Sequence, residues 1–275
     1  MSAGIDLTIQ PGVRPDPNVL RLSIWSGPRN VSTALMYAFR SRADTVVFDE
    51  PFYGHYLSTH DVTHPGGQRV LDEMDTTGTR VIDRVILGDA PPAGPGTLGY
   101  AATRHPGALP PGTRVRMYKN MAHHLRGLPP AFLAKIEHAL LTRDPHEMLP
   151  SLAEKIERPT INDTGLGEQV ALLQRLRYLG KEPVVLDAQR LLEDPEGVLR
   201  RACERWGIPW DPAMLAWEAG PKPEDGVWAE HWYAAVHAST GFQPYRAPDE
   251  PFPPHLESLL ERTTPFYEML LQHAV

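Results

Sequence analysis

The chain reads as an α/β protein in three layers, a parallel central sheet with helices on both faces. Two observations predict it. Short apolar runs recur at residues 19–25, 45–49, 115–119, 139–142 and 183–187. Segments with apolar residues at helical spacing lie between most of them, which is the pattern of strands returned in the same direction by crossover helices. A third observation fixes the edge of interest. The run Leu22-Ser23-Ile24-Trp25-Ser26 enters the turn Gly27-Pro28-Arg29, and Ser32 and Thr33 then open a segment with Leu35, Met36 and Phe39 on one face.

Residues 1–18 read as an irregular lead-in, rich in proline. Residues 19–25 are the first strand and 32–42 its helix. Residues 45–49, Thr-Val-Val-Phe-Asp, form a short strand that stops at Glu50-Pro51. Residues 54–113 are less regular: a helix is expected at 67–75, a short helix or strand at 79–87, and then a glycine- and proline-rich stretch. A strand at 115–119 leads into Asn120-Met121-Ala122-His123-His124. Helices are expected at 130–138, 145–157, 167–179 and 195–206, with strands at 139–142 and 183–187. Residues 216–275 hold aromatics and prolines with little strand pattern. They are expected to wrap the sheet part as helices and loops, within a single domain spanning residues 1–275.

Bulk properties narrow the function classes. The 275-residue chain carries a net charge of −7, which disfavours a nucleic-acid binder working through a broad basic face. It leaves room for a small basic pocket that takes one nucleotide. Cys203 is the only cysteine, so no intramolecular disulfide can form, and a reducing cytoplasm is the expected setting. Cys203 falls in a helical pattern and is expected to pack. No apolar run approaches the ~18 residues of a membrane span, and the N-terminus lacks the charged-then-apolar pattern of a signal peptide.

The first loop carries the chemistry. The leading N–H groups of a helix have no partner within it, and the helix dipole favours negative charge there. Arg29 adds a permanent, forked cation, and Ser32 and Thr33 add hydroxyls. This arrangement suits a phosphate or sulfate. It is not the ATP-binding loop G-x-x-x-x-G-K-[ST], because no glycine or lysine stands at the corresponding places. A second cluster is Thr142-Arg143-Asp144-Pro145 followed by Ser151. An arginine leaves a buried strand, and a serine sits about two helical turns further on, so both can meet one anion at the carboxyl edge of the sheet. An N-capping Asp144-Pro145 with an exposed arginine is the plainer alternative.

Pro28-Arg29-Asn30-Val31-Ser32-Thr33 resembles the 5'-phosphosulfate loop of sulfotransferases, which use 3'-phosphoadenosine-5'-phosphosulfate (PAPS). It departs from their bacterial pattern at Asn30 and Val31. Arg143 and Ser151 match, in identity and separation, the pair with which that superfamily holds the 3'-phosphate. A third match is Val184-Val185-Leu186-Asp187, then Asp194-Pro195, then Trp206-Gly207-Ile208-Pro209, to which a structural role is assigned. Together these cover roughly residues 20–55 and 114–215. Asp49-Glu50-Pro51-Phe52-Tyr53, the Lys119–His124 run and residues 221–228 resemble a little-characterised bacterial and plant branch of the superfamily.

The resemblance implies a P-loop-like sulfotransferase fold. It also implies transfer of a sulfuryl group from PAPS to a hydroxyl or amine of a small molecule, without a metal. Arg29, Asn30, Val31, Ser32, Thr33, Arg143, Ser151 and Lys222 are the expected cofactor-binding residues, with Arg29 on the leaving phosphate. Two groups compete for the base. Glu50, at a strand end beside Phe52 and Tyr53, resembles the Glu-Pro segment of some carbohydrate sulfotransferases. His123, with His124, follows the Lys119 strand as the catalytic histidine of small-molecule sulfotransferases does, but displaced, since Met121 stands two after Lys119. His55, His60, His64 and Asp61 are expected to lie in a polar loop and not to bind metal. Trp228 is expected to line the acceptor pocket. Ala34 replaces the tryptophan that often stacks on adenine, so adenine packing must come from elsewhere. Phe52, Tyr53, Tyr56, Trp228, Trp232 and Tyr233 suggest an apolar or aromatic acceptor. A P-loop kinase of a small metabolite and a non-catalytic nucleotide-binding protein are the alternatives. No nucleic-acid or membrane partner is expected.

Overall fold

The computed structural model describes residues 16–62, 64–88 and 111–275. Five strands form one sheet: β1 (Leu20–Ser26), β2 (Thr45–Asp49), β3 (Val115–Met121), β4 (Glu137–Thr142) and β5 (Val184–Asp187). Their order is β2-β3-β1-β4-β5, and every pairing is parallel. The strand side chains alternate between two cores. Leu22, Ile24, Val47, Ala139 and Leu141 face one, and Trp25, Phe48, Tyr118 and Leu140 face the other. Both faces are covered, which is why the strands read as continuous apolar runs. This is the three-layer α/β arrangement expected.

The helices are α1 (Ser32–Arg40), α2 (Tyr53–Thr59), α3 (Gly67–Glu73), α4 (Gly78–Val81), α5 (Pro145–Ala153), α6 (Ile161–Thr164), α7 (Leu166–Tyr178), α8 (Ala188–Glu193), α9 (Pro195–Arg205), α10 (Ala229–Trp232), α11 (Ala234–His237) and α12 (Glu257–Leu271). The segment expected as helix or strand at 79–87 is helical: α4 runs into a π-turn at Ile82–Ile86. The helix expected at 130–138 is instead a 3₁₀ turn, Pro130–Lys135, and β4 already starts at Glu137. The switch is locked by His138, whose Nδ1 accepts from Trp25 Nε1 at 3.1 Å and whose Nε2 donates to Leu133 O at 2.8 Å. The expected helix at 145–157 ends at Ala153. The lead-in to residue 15 and the glycine- and proline-rich stretch at 89–110 lie outside the described residues.

Residues 216–275 do form helices and loops against the sheet domain. Leu256, Leu259, Tyr267 and Leu270 enter the same core as Trp25 and Val185. Tyr267 donates its phenol to Asp187 at the end of β5 (3.0 Å). Cys203 is buried and packs against Met214. No helix among the described residues is long and apolar enough to cross a membrane.

The topology decides where a ligand sits. The chain runs from β1 to the edge strand β2, returns to β3 beside β1, and then crosses β1 to β4 and β5, so the connections after β1 and β3 leave in opposite directions. Loops leaving the carboxyl ends of β1 and its neighbours therefore diverge and leave a crevice above β1.

Candidate active site

The turn after β1 is built for close approach. A Cβ on Gly27 would fall 2.5 Å from the carbonyl oxygen of Thr164, so only glycine fits beneath that loop. Arg29 follows with φ +53°. Asn30 is pinned to the sheet, its Nδ2 donating to Leu141 O at 2.5 Å. α1 then begins with no side chain capping it and no acidic residue in its first turn. The positive end of the helix thus points into the crevice without a built-in counter-charge.

Arg29, Arg143 and Ser151 meet at this loop. Arg29 Nε donates to Ser151 Oγ at 2.8 Å, and Arg143 Nη1 donates to the Arg29 carbonyl at 2.7 Å. Arg143 is braced from behind by Glu147 at 3.2 Å. Asp144 caps α5 through His146 N, so the plainer capping role and the convergence of the arginines hold together. Burial pulls the Arg29 guanidinium below its ordinary pKa, but an arginine that high remains charged.

The loop forms one wall of a cavity of about 340 Å³. Residues 27–34 and Arg143 line it, and so do Glu50, Lys119 and His123. Leu192, Ser239 and Gln243 line it as well, together with Tyr53, Tyr56, His124, Trp228 and Trp232. Val236 also lines it and packs against the cluster of Tyr53, Tyr56 and Trp228. Lys222 is not part of this wall. Its ammonium donates to the carbonyls of Glu218 at 2.7 Å and Gly220 at 2.9 Å and lies 5.5 Å above the Tyr37 ring. The expectation that Lys222 reaches a 3'-phosphate therefore has no support in its position: local carbonyls hold it in its own turn.

Glu50 sits just past the end of β2 with φ +47°. Arg29 and Glu50 are the two non-glycine residues with positive φ among the described residues, and both face the cavity. Such backbone is uncommon for side chains of this kind and gathers at functional sites. Glu50 accepts from Lys119 Nζ at 2.5 Å. The same ammonium bonds Asp49 Oδ1 at 3.0 Å and the Tyr233 hydroxyl at 2.6 Å. All four groups are buried. Burial raises the proton affinity of Glu50, Lys119 opposes this, and Asp49 reinforces it; the net direction is upward. Lys119 is raised despite burial because two carboxylates flank it.

His123 and His124 form a 3₁₀ turn directly after β3. Both are buried, and neither Nδ1 has a hydrogen-bond partner. Desolvation lowers His123 to about 3, and His124 falls well below its ordinary value for the same reason. They are neutral rings packed against tyrosines: Tyr56 lies 4.8 Å from His123, and Tyr53 stacks on His124 at 4.9 Å. His55 is not in a polar loop as expected but within α2, where it is buried. His64 bonds the Tyr53 hydroxyl at 2.8 Å. Sequence reasoning leaves Asp49 out of the site and places Tyr233 only among the aromatics of an acceptor pocket; both join Glu50 through Lys119. Asp49 is visible in the motif beside Glu50; nothing in the sequence ties Tyr233, 114 residues beyond Lys119, to it.

The family model described as sulfotransferase domain matches residues 20–100 and 107–274. Two Arabidopsis thaliana proteins, branched-chain-amino-acid aminotransferase-like proteins 1 and 2, are 39% and 37% identical over 249 residues, 90% of this chain. Those residues make up 41% of each relative, so the chain spans about two fifths of the length of the curated proteins it matches. Among solved structures, a sulfotransferase from Alicyclobacillus acidocaldarius aligns at 13% identity with a TM-score of 0.49, covering 93% of this chain and 97% of that one. The sulfotransferase domain of the Synechococcus PCC 7002 olefin synthase aligns at 14% identity with a TM-score of 0.46, covering 92% and 96%. The family match spans nearly all of the chain beyond residue 20, and it includes the loop, Glu50, Lys119 and Arg143: this protein belongs to the sulfotransferase family.

Proposed function

We propose that this sulfotransferase takes its sulfuryl group from PAPS and passes it to a hydroxyl or amine of a small-molecule acceptor. The observation that carries the proposal is the convergence of Arg29, Arg143 and Ser151 on the uncapped start of α1, with Glu50 on the wall of the same cavity. The donor set fits a nucleotide with anionic groups at both its 5' and 3' positions: two guanidinium groups, hydroxyls and the start of a helix with no acidic residue in its first turn. When bound, PAPS supplies the sulfur, whose bond to the 5'-phosphate oxygen breaks as the bond to the acceptor forms.

Each residue then has a task. Arg29, with the N–H groups of Val31 and Thr33 and the hydroxyls of Ser32 and Thr33, meets the charge that grows on the departing phosphate. Arg143 and Ser151 hold the 3'-phosphate. Glu50 takes the acceptor proton, a task helped by its raised proton affinity. His123 is a weak base at about 3, which favours Glu50 over it. We assign His123 to the acceptor wall, where its neutral ring joins Tyr53, Tyr56 and Trp228. With Ala34 at the place of the adenine-stacking tryptophan, we assign adenine packing to other apolar side chains of the lining such as Leu192. The whole of residues 1–275 is proposed to act as a single domain.

The test is ligand-dependent melting. Adenosine 3',5'-bisphosphate should raise Tm more than ADP does, because a ligand that binds only the native state stabilises it by mass action. A larger shift from ATP with magnesium would favour a metabolite kinase. A shift from the bisphosphate without PAPS-dependent turnover of any offered acceptor would favour a non-catalytic nucleotide binder.

A further inference from the structure

Lys119 is a charged side chain with no exposure to speak of, at the bottom of the cavity. An ammonium has three N–H donors, and each of these has its own acceptor: Asp49, Glu50 and Tyr233. Nothing is left over for a ligand in this arrangement. The lysine acts on its neighbours.

Tyr233 is the least expected of the three. It belongs to a segment more than a hundred residues downstream, between α10 and α11. Its hydroxyl accepts from Lys119 and from Trp228 Nε1 (3.0 Å) and lies 2.8 and 2.9 Å from the two oxygens of Asp49, to which it gives its single proton. Asp49 takes a further donor from Gly226 N at 2.9 Å. The phenol thus satisfies part of the demand of Asp49 and also anchors the ammonium. We propose that Tyr233 is a positioning residue, which keeps the Lys119 ammonium on Glu50 so that Glu50 is presented to the acceptor as a carboxylate. The proposal rests on the assignment of Glu50 as the base.

The physical argument concerns competition for one cation. Asp49 and Glu50 both need Lys119. Without the Tyr233 hydroxyl, Asp49 loses a donor and the lysine loses an anchor, so the ammonium moves toward Asp49. Glu50 then keeps its burial and the repulsion of Asp49 but loses its close positive neighbour, and it holds its proton to higher pH. The other groups around Glu50 do not compensate. His124 Nδ1 is 4.0 Å from Oε2 and is neutral, and Tyr53 beside it is an undissociated phenol.

The experiment is the pH profile of kcat for Tyr233→Phe, beside a ¹³C carboxyl titration of the same protein. The Glu50 resonance is assigned by its absence in Glu50→Gln. The acid limb of kcat and the Glu50 midpoint should both move up by about one pH unit, while KM for PAPS stays within about twofold. Tyr37→Phe is the control. Tyr37 bonds Asp225 at 2.7 Å and docks the same downstream segment without touching Lys119. It should leave the midpoint in place. An unmoved midpoint in Tyr233→Phe, or an equal movement in Tyr37→Phe, overturns the proposal. The titration reads Glu50 whether or not turnover is seen. A displaced midpoint without PAPS-dependent transfer in the wild type would keep the Tyr233 arrangement and sink the reading of Glu50 as a sulfuryl-transfer base.

Discussion

The two charged regions of the cavity handle charge in opposite ways. At the loop, Arg29 rests on a neutral serine hydroxyl, Arg143 rests on a carbonyl with Glu147 only on its Nε, and the helix end has no acidic cap. At the end of β2, Lys119 lies between two carboxylates and a phenol, and every N–H has a partner. The first region is an unfinished electrostatic structure, which an anion completes. The second is finished without a ligand, so its charges serve to tune one another. Under the proposed function the difference separates binding from acid–base work: positive charge at the loop would hold phosphate, and positive charge locked to a carboxylate would set when that carboxylate holds a proton.

The largest effect that would break this division is at Arg29. Arg29→Ala should lower kcat by roughly 100- to 1,000-fold, since a preorganised charge on a leaving group is commonly worth ~3 kcal/mol or more. Arg29→Lys should restore part of the rate, because the charge survives without the forked donors. Wild-type turnover in the alanine variant would remove the loop from the reaction.

Glu50→Gln tests the other side. It should lower kcat by ~10²-fold or more and leave adenosine 3',5'-bisphosphate binding, read by calorimetry, unchanged. A weakened nucleotide with normal kcat would mean that the β2 end belongs with the binding region and that the division is false.

The smallest effect concerns the histidines that flank the second region. His123 is held to about 3 by burial, whereas a free histidine titrates near 6.5. Between those values the unfolded chain binds a proton that the native protein refuses. Stability from this group is therefore complete above pH 6.5 and lost as pH falls toward 3, with a slope of at most about 1.4 kcal/mol per pH unit. Urea unfolding of the wild type against His123→Asn at pH 7.5, 6 and 5 reads the difference. The asparagine variant should lose less stability on acidification; an equal loss would show that the ring is not desolvated in solution.

Legibility in the sequence divides along similar lines. The strand at 45–49 has the predicted bounds, and the loop residues 27–33 lie together because they are contiguous. Arg143 and Ser151 are also legible, because eight residues of one strand end and helix fix their separation. The Lys119 cluster is only half legible. Asp49 and Glu50 are adjacent, but Lys119 is 70 residues from Asp49 and Tyr233 is 184 from it, and only the closed fold brings them together. The 130–138 error has a local cause: a proline-led turn looks like a helix start until His138 is found tied to Trp25, 113 residues away. Lys222, placed on the cofactor only by the resemblance, is instead held by the carbonyls of its own turn.

The positive φ values at Arg29 and Glu50 restrict the alphabet of both positions independently of any chemistry. A β-branched residue is disfavoured there by its own backbone, and even alanine carries the left-handed cost of roughly 1–2 kcal/mol that glycine avoids. Two deletions that look equivalent on paper are therefore unequal. Alanine at position 29 removes the guanidinium and keeps the contorted main chain, while glycine removes both and lets the turn relax. Variation among natural relatives at these two sites is confined by geometry before selection on the reaction begins.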